Sequence, residues 1–199
     1  MSETWSLYQE HPSFVLGFHG TEQELVEQIL LGKINHLDKS QGSNEWLGHG
    51  IYFWENDPRR GLEWAENGKS KAKIKNPDVI GAVINLGNCL DLTTRSGLDE
   101  VQRAYGILKD TYTGVNKPLP VNRGGNNKAH RELDCQVIEA LHVFREDAKL
   151  EPYDTVRAPF PEDDELYKGA GFRIRNHIQI AVRNPNCIKG YFRPMKNGQ

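Results

Sequence analysis

The sequence predicts a mixed α+β domain, with residues 1–199 forming a single unit. Three observations lead there. Short apolar runs suited to strands lie towards both ends of the chain, and segments with helical apolar spacing lie between them. The chain also has enough bulky material for one core: 37% of residues are hydrophobic, with seven Phe, seven Tyr and four Trp.

Ser13–Phe18 reads as the first strand, a short apolar run of Phe14, Val15 and Leu16 closed by Gly17. Thr21–Leu31 reads as a helix, opened by a Thr21/Glu24 capping box and stopped at Gly32. Its apolar face holds Leu25, Val26, Ile29 and Leu30. Lys39–Glu45 is a polar loop, and Gly50–Trp54 a short buried strand. Asp57 caps a second helix with Pro58 in its first turn, and that helix carries Leu62, Trp64 and Ala65. Val79–Leu86 reads as a strand and Leu98–Leu108 as a helix. Gly114–Lys128, rich in Pro, Gly and Asn, reads as a long loop. Leu133, Val137, Ile138, Leu141 and Phe144 recur at helical spacing and predict a helix over His130–Phe144. Pro159–Gly171 is acidic and then Gly-rich, which predicts a loop. Two closing strands follow, Ile178–Val182 and Ile188–Phe192, around an Asn184-Pro185-Asn186 turn.

The bulk charge excludes some classes. A net charge of −2 gives no general basic field for nucleic acid, although a local basic groove remains compatible with it. No apolar run is long enough for a transmembrane helix, and Met1–Pro12 lacks the apolar region of a signal peptide. Cys89, Cys135 and Cys187 are widely separated and odd in number, with no zinc spacing; reduced thiols in a cytoplasmic protein are the simplest expectation.

Two motifs carry chemistry. Phe18-His19-Gly20-Thr21 sits where the first strand meets a helix, and glycine there leaves backbone open to close approach. Gly48-His49-Gly50-Ile51-Tyr52-Phe53 brackets a histidine with glycines ahead of an aromatic strand, where an outward tyrosine can stack on a flat ring. Either alone reads as an ordinary turn. Together, with 33 positions from His19 to Tyr52 and a helix after each, they resemble the catalytic domain of the diphtheria-toxin and poly(ADP-ribose) polymerase class.

The resemblance implies an ADP-ribosyltransferase-type split mixed β-sheet core with flanking helices, and NAD as the bound substrate. It implies that His19 hydrogen-bonds the adenosine-side ribose and that Gly20 holds the nicotinamide carboxamide through its backbone. Thr21 would add a hydroxyl to that amide, and Tyr52 would stack on the nicotinamide ring. Trp64 would close the stack from the second helix, or else belong to the core. No metal is needed, and no Rossmann glycine fingerprint is visible.

The third family element, a glutamate opening a late strand, is absent. Gln179 of Asn176–Pro185 occupies its place. Glutamine hydrogen-bonds a ribose hydroxyl but carries no charge and cannot be a general base. It reads equally as a polar residue on the solvent face of an edge strand. Catalysis would then rest on His19, Tyr52 and Gln179, with single transfer rather than chain building. Glu162, Asp163, Asp164 and Glu165 offer compensating charge, or else form a solvated acidic turn. His177 offers a base or is structural. Glu132, Asp134 and Glu139 read as surface charges. Lys69, Lys71, Lys73 and Lys75, then Arg123, Lys128 and Arg131, and finally Arg173, Arg175 and Arg183, form a phosphate-binding surface if they converge and scattered charges if they do not.

The expected activity is mono-ADP-ribosyl transfer to a macromolecular acceptor, nucleic acid or protein. By analogy, the size fits an intracellular bacterial toxin or phage-defence effector, with an antitoxin protein as partner. The alternatives are a degenerate NAD- or ADP-ribose-binding module and an NAD glycohydrolase.

Overall fold

A computed structural model describes residues 14–67, 74–124 and 130–195. The elements in order are β1 (Phe14–Glu22), α1 (Gln23–Leu30), β2 (Ile51–Glu55), α2 (Pro58–Asn67), β3 (Pro77–Asn85), β4 (Cys89–Asp91), α3 (Arg95–Gly114), α4 (Glu132–Asp147), β5 (Thr155–Glu165), β6 (Arg173–Val182) and β7 (Ile188–Phe192). The strands form one seven-stranded sheet in the order β4-β5-β6-β2-β1-β3-β7. Neighbours are antiparallel except β4 and β5, so the sheet is mixed and the class is α+β.

Period-two alternation divides the sheet between two cores. Ile180 and Val182 of β6 join Phe53, Ile80, Ile84 and, from α1, Val26 and Ile29. Ala181, between them, joins Leu108 of α3, Val137, Ile138 and Leu141 of α4, and Val156 and Phe160 of β5. Among the described residues no helix is long and apolar enough to cross a membrane.

Several local expectations are overturned. Thr21 caps nothing; it is a strand residue paired with Asp78, because β1 keeps pairing with β3 as far as Glu22↔Pro77. The helix therefore begins at Gln23 with Glu22 as its cap, and the Glu22 carboxylate accepts from the Lys75 and Asn76 amides at 2.8 and 2.9 Å. The Asp57 cap is present, its Oδ1 accepting from the Arg60 amide at 2.9 Å. The acidic stretch 162–165 is the end of β5 rather than a loop, and β6 begins five residues before Ile178. Strand β4 was not anticipated, being only three residues long.

The neighbours β1 and β2 diverge. Their register is confined to Gly17↔Glu55 and Phe18↔Trp54, whereas β1 pairs with β3 along its whole length. Beyond Phe18 the strands part, and α2 covers the opening by packing against β1 and β3.

Candidate functional site

The divergence opens a cleft of about 320 Å³. His19 of β1, Tyr52 and Trp54 of β2, Arg60 and Trp64 of α2, Glu162 of β5 and Gln179 of β6 all line it. Asp38 and Glu45, from the loop between α1 and β2, line it as well.

His19 stands where the two strands part. Its Nδ1 lies 2.7 Å from the Tyr52 carbonyl oxygen, which can only accept, so Nδ1 carries the proton. Burial pulls the ring pKa below its ordinary value, partly offset by that bond, so the imidazole is neutral and Nε2 is a free acceptor. Tyr52 is tethered at its far end: its hydroxyl donates to the Gly48 carbonyl at 2.6 Å and accepts from the Leu47 amide at 2.8 Å. The phenol is thus occupied, and its burial pushes the pKa well above the usual value. What Tyr52 offers the cleft is its ring.

The Gly48 turn is fixed from behind. Gly48 has φ +73°, and a Cβ there would lie 2.5 Å from Glu139 Oε1. Glu139 is therefore not a plain surface charge, since the same oxygen accepts from the His49 amide and from Arg183 Nη1, each at 2.7 Å.

Gly20 and Thr21 do not line the cleft. A Cβ on Gly20 would sit 1.8 Å from the Gly61 carbonyl oxygen, so this glycine lets α2 approach β1. Its backbone still matters. The Leu16 carbonyl accepts from the Asn56 amide, which sets the even-numbered residues of β1 towards β2. The amide edge of Gly20 consequently faces the gap beyond the last β1–β2 pair.

Trp64 is 37% exposed, with ring centroids 6.3 Å from His19 and 6.0 Å from Trp54. It is a wall of the cleft and not core. Gln179 is only 9% exposed, so the reading as a solvent-facing edge residue is overturned: β6 lies between β5 and β2. Gln179 Nε2 donates to His177 Nε2 at 2.9 Å. The His177 proton is then on Nδ1, 3.2 Å from the Arg175 carbonyl and 3.7 Å from Glu162 Oε2. Burial lowers the His177 pKa, partly countered by Glu162. Arg60 Nη2 reaches the same Glu162 oxygen at 2.7 Å.

Arg60 and Trp54 were not anticipated, although the pattern carries them. Arg60 precedes Trp64 by one helical turn and shares its face; Trp54 follows Tyr52 by two and shares its side of β2. Trp54 is 6% exposed and its Nε1 is buried without a partner among the described residues, as is Arg60 Nε, whose guanidinium lies 5.3 Å from the Trp54 ring. The other basic residues do not converge here. Arg175 pairs with Asp163 at 3.0 Å, Arg123 with Glu132 at 3.1 Å, and Arg131 stacks on Trp46 at 4.3 Å. Lys69, Lys71, Lys73 and Lys128 lie outside the described residues. Among the described residues no cluster of His, Cys, Asp or Glu is arranged for a metal.

No family model and no solved structure matches the chain. A protein of Methanocaldococcus jannaschii described as uncharacterized is similar, 26% identical over 190 residues, which is 86% of this chain and 83% of that protein.

Proposed function

We propose that this protein is a mono-ADP-ribosyltransferase with the ADP-ribosyltransferase type of split sheet, using NAD as donor and a nucleic acid or protein as acceptor. The observation that carries this reading is the convergence of His19, Tyr52, Trp64 and Gln179 on one cleft where β1 and β2 part. His19 Nε2 accepts from a ribose hydroxyl. The Tyr52 and Trp64 rings flank the nicotinamide, and the amide edge of Gly20 meets its carboxamide. Three carboxylates against one guanidinium on the cleft wall, together with its aromatic faces, favour the positively charged pyridinium. Holding that ring while charge develops on the ribose is most of what the reaction requires. With glutamine at 179, transfer stops at one unit. The cytoplasmic effector setting and an antitoxin partner belong to the same proposal.

The test is incubation with NAD labelled in its ADP-ribose part, in the presence of separated RNA, DNA and protein pools. Label is expected in one pool with release of nicotinamide. NAD binding without label transfer or nicotinamide release would reject the transferase and leave the binding module, which the commitment of the Gln179 amide to His177 favours. Free ADP-ribose alone would mark a glycohydrolase.

A further inference from the structure

We propose that the negative charge the reaction needs comes from β5, with Glu162 acting on the cleft where residue 179 of β6 cannot. This rests on the transferase reading. It identifies a residue outside the resemblance.

The geometry separates Glu162 from the other two carboxylates of the cleft. Asp38 is exposed on its loop, and Glu45 accepts from the Ser40 hydroxyl within the same loop. Glu162 is 17% exposed at its side chain and held by elements that build the site itself. Arg60, only 12% exposed at its side chain, donates to Glu162 Oε2. His177 approaches the same oxygen and reaches Gln179 through its other nitrogen. Arg60 bonds Oε2 and His177 Nδ1 lies 3.7 Å from that same oxygen, which leaves Oε1 for a reacting group. Arg60 also keeps its buried Nε–H without a partner among the described residues, a donor ready for a ligand oxygen while Nη2 stays on Glu162.

Neutral His177 accepts from the Gln179 amide nitrogen, and this leaves the amide oxygen of Gln179 as the acceptor for a ribose hydroxyl. Position 179 thus orients the sugar, and Glu162 supplies the charge. The C1′–N bond breaks with its electron pair leaving on the nicotinamide nitrogen. Glu162 stabilises the cation that develops on the ribose. The acceptor's oxygen or nitrogen forms the new bond to C1′, and the proton it loses passes to Glu162 and then to water. NAD and acceptor become ADP-ribosylated acceptor, nicotinamide and one proton.

The test measures nicotinamide release, NAD affinity by titration calorimetry and thermal unfolding for wild type, Glu162→Gln and Glu162→Asp. Glu162→Gln is expected to slow release about 100-fold, the scale of losing one preorganised electrostatic group, while NAD affinity changes less than threefold. Glu162→Asp keeps the charge but withdraws it by one methylene, and is expected to lie between the two. Formate is expected to restore part of the rate to Glu162→Ala. A folded Glu162→Gln enzyme within threefold of wild type overturns the proposal. Should Glu162→Gln not fold, a folded Glu162→Asp enzyme at the wild-type rate does so equally. Wild type that binds NAD but never releases nicotinamide rejects the transferase reading instead, so the two failures are distinct.

Discussion

The molecule holds two arginines of similar burial on either side of the central strands, and they are treated differently. Arg157 of β5 is saturated: Nε and Nη2 bond Glu55 at 2.6 and 3.0 Å, and Nη1 bonds Asp91 at 3.0 Å. Arg60, at the cleft, has one carboxylate oxygen and a stranded Nε beside an equally stranded Trp54 Nε1. Unpaired buried donors cost free energy, on the order of 1–3 kcal/mol each. That difference supports the proposed reading, in which a ligand's oxygens complete the bonding of Arg60.

Truncating each arginine separates the two clusters. Arg157→Met leaves two buried carboxylates facing each other and is expected to cost about 3–5 kcal/mol. Arg60→Met strands only Glu162, which the open cleft can hydrate, and is expected to cost under about 2 kcal/mol while abolishing NAD binding. Denaturant unfolding of the pair decides; equal losses would mean that both arginines are structural.

Next in size is Gly20→Ala. The new methyl meets backbone, so α2 must retreat, at about 1–3 kcal/mol. Arg60 and Trp64 move with the helix, and NAD affinity is expected to fall at least tenfold. Gly106→Ala in α3, where an added Cβ meets nothing within 4 Å, is the control and is expected to stabilise by up to ~1 kcal/mol. If Gly20→Ala keeps wild-type affinity, the seat of α2 on β1 does not set the cleft. Trp64→Ala removes a half-exposed ring. It is expected to leave stability within ~1 kcal/mol and to weaken NAD binding about fivefold to tenfold. Unchanged affinity, read by calorimetry, would remove Trp64 from the stack.

The same contrast explains what could be read from the chain beforehand. The apolar face of α4 announces itself, since packing alone dictates it. That His19 and Tyr52 face one cleft was legible because a motif pair at a set spacing survives without its surroundings. Strand β5 was not, because Pro159 and Pro161 argue against a strand. Both lie on the side of β5 that faces β4, as the Arg157 carbonyl does in bonding the Leu92 amide, and the β4 register ends at Asp91↔Arg157. Prolines there forfeit no ladder bond. As a loop residue Glu162 reads equally as part of a solvated acidic turn; its place in β5 sets it on the cleft. The capping box at Thr21 was misread for the converse reason: long-range pairing with β3 outweighs a local cap.

The smallest effect concerns protons on His142 of α4, which does not line the cleft. Burial, and then the charges of Arg183 and Arg145, hold the His142 pKa at about 3. Its Nε2 is buried without a partner among the described residues, and its ring stands edge-on to Tyr153. The unfolded chain titrates this histidine near 6.5, so below that pH the unfolded state binds the extra proton and stability falls with pH until the native pKa is reached. From pH 7 to pH 6 a histidine kept neutral in the native state costs roughly 0.7 kcal/mol. His19 and His177 act with the same sign, because burial lowers both pKa values. His142→Phe is expected to flatten its share of the slope, whether or not NAD is present, in unfolding curves taken at successive pH values. If the variant keeps the wild-type slope, the acid sensitivity resides in the cleft histidines, and saturating NAD, by engaging His19, should then change it.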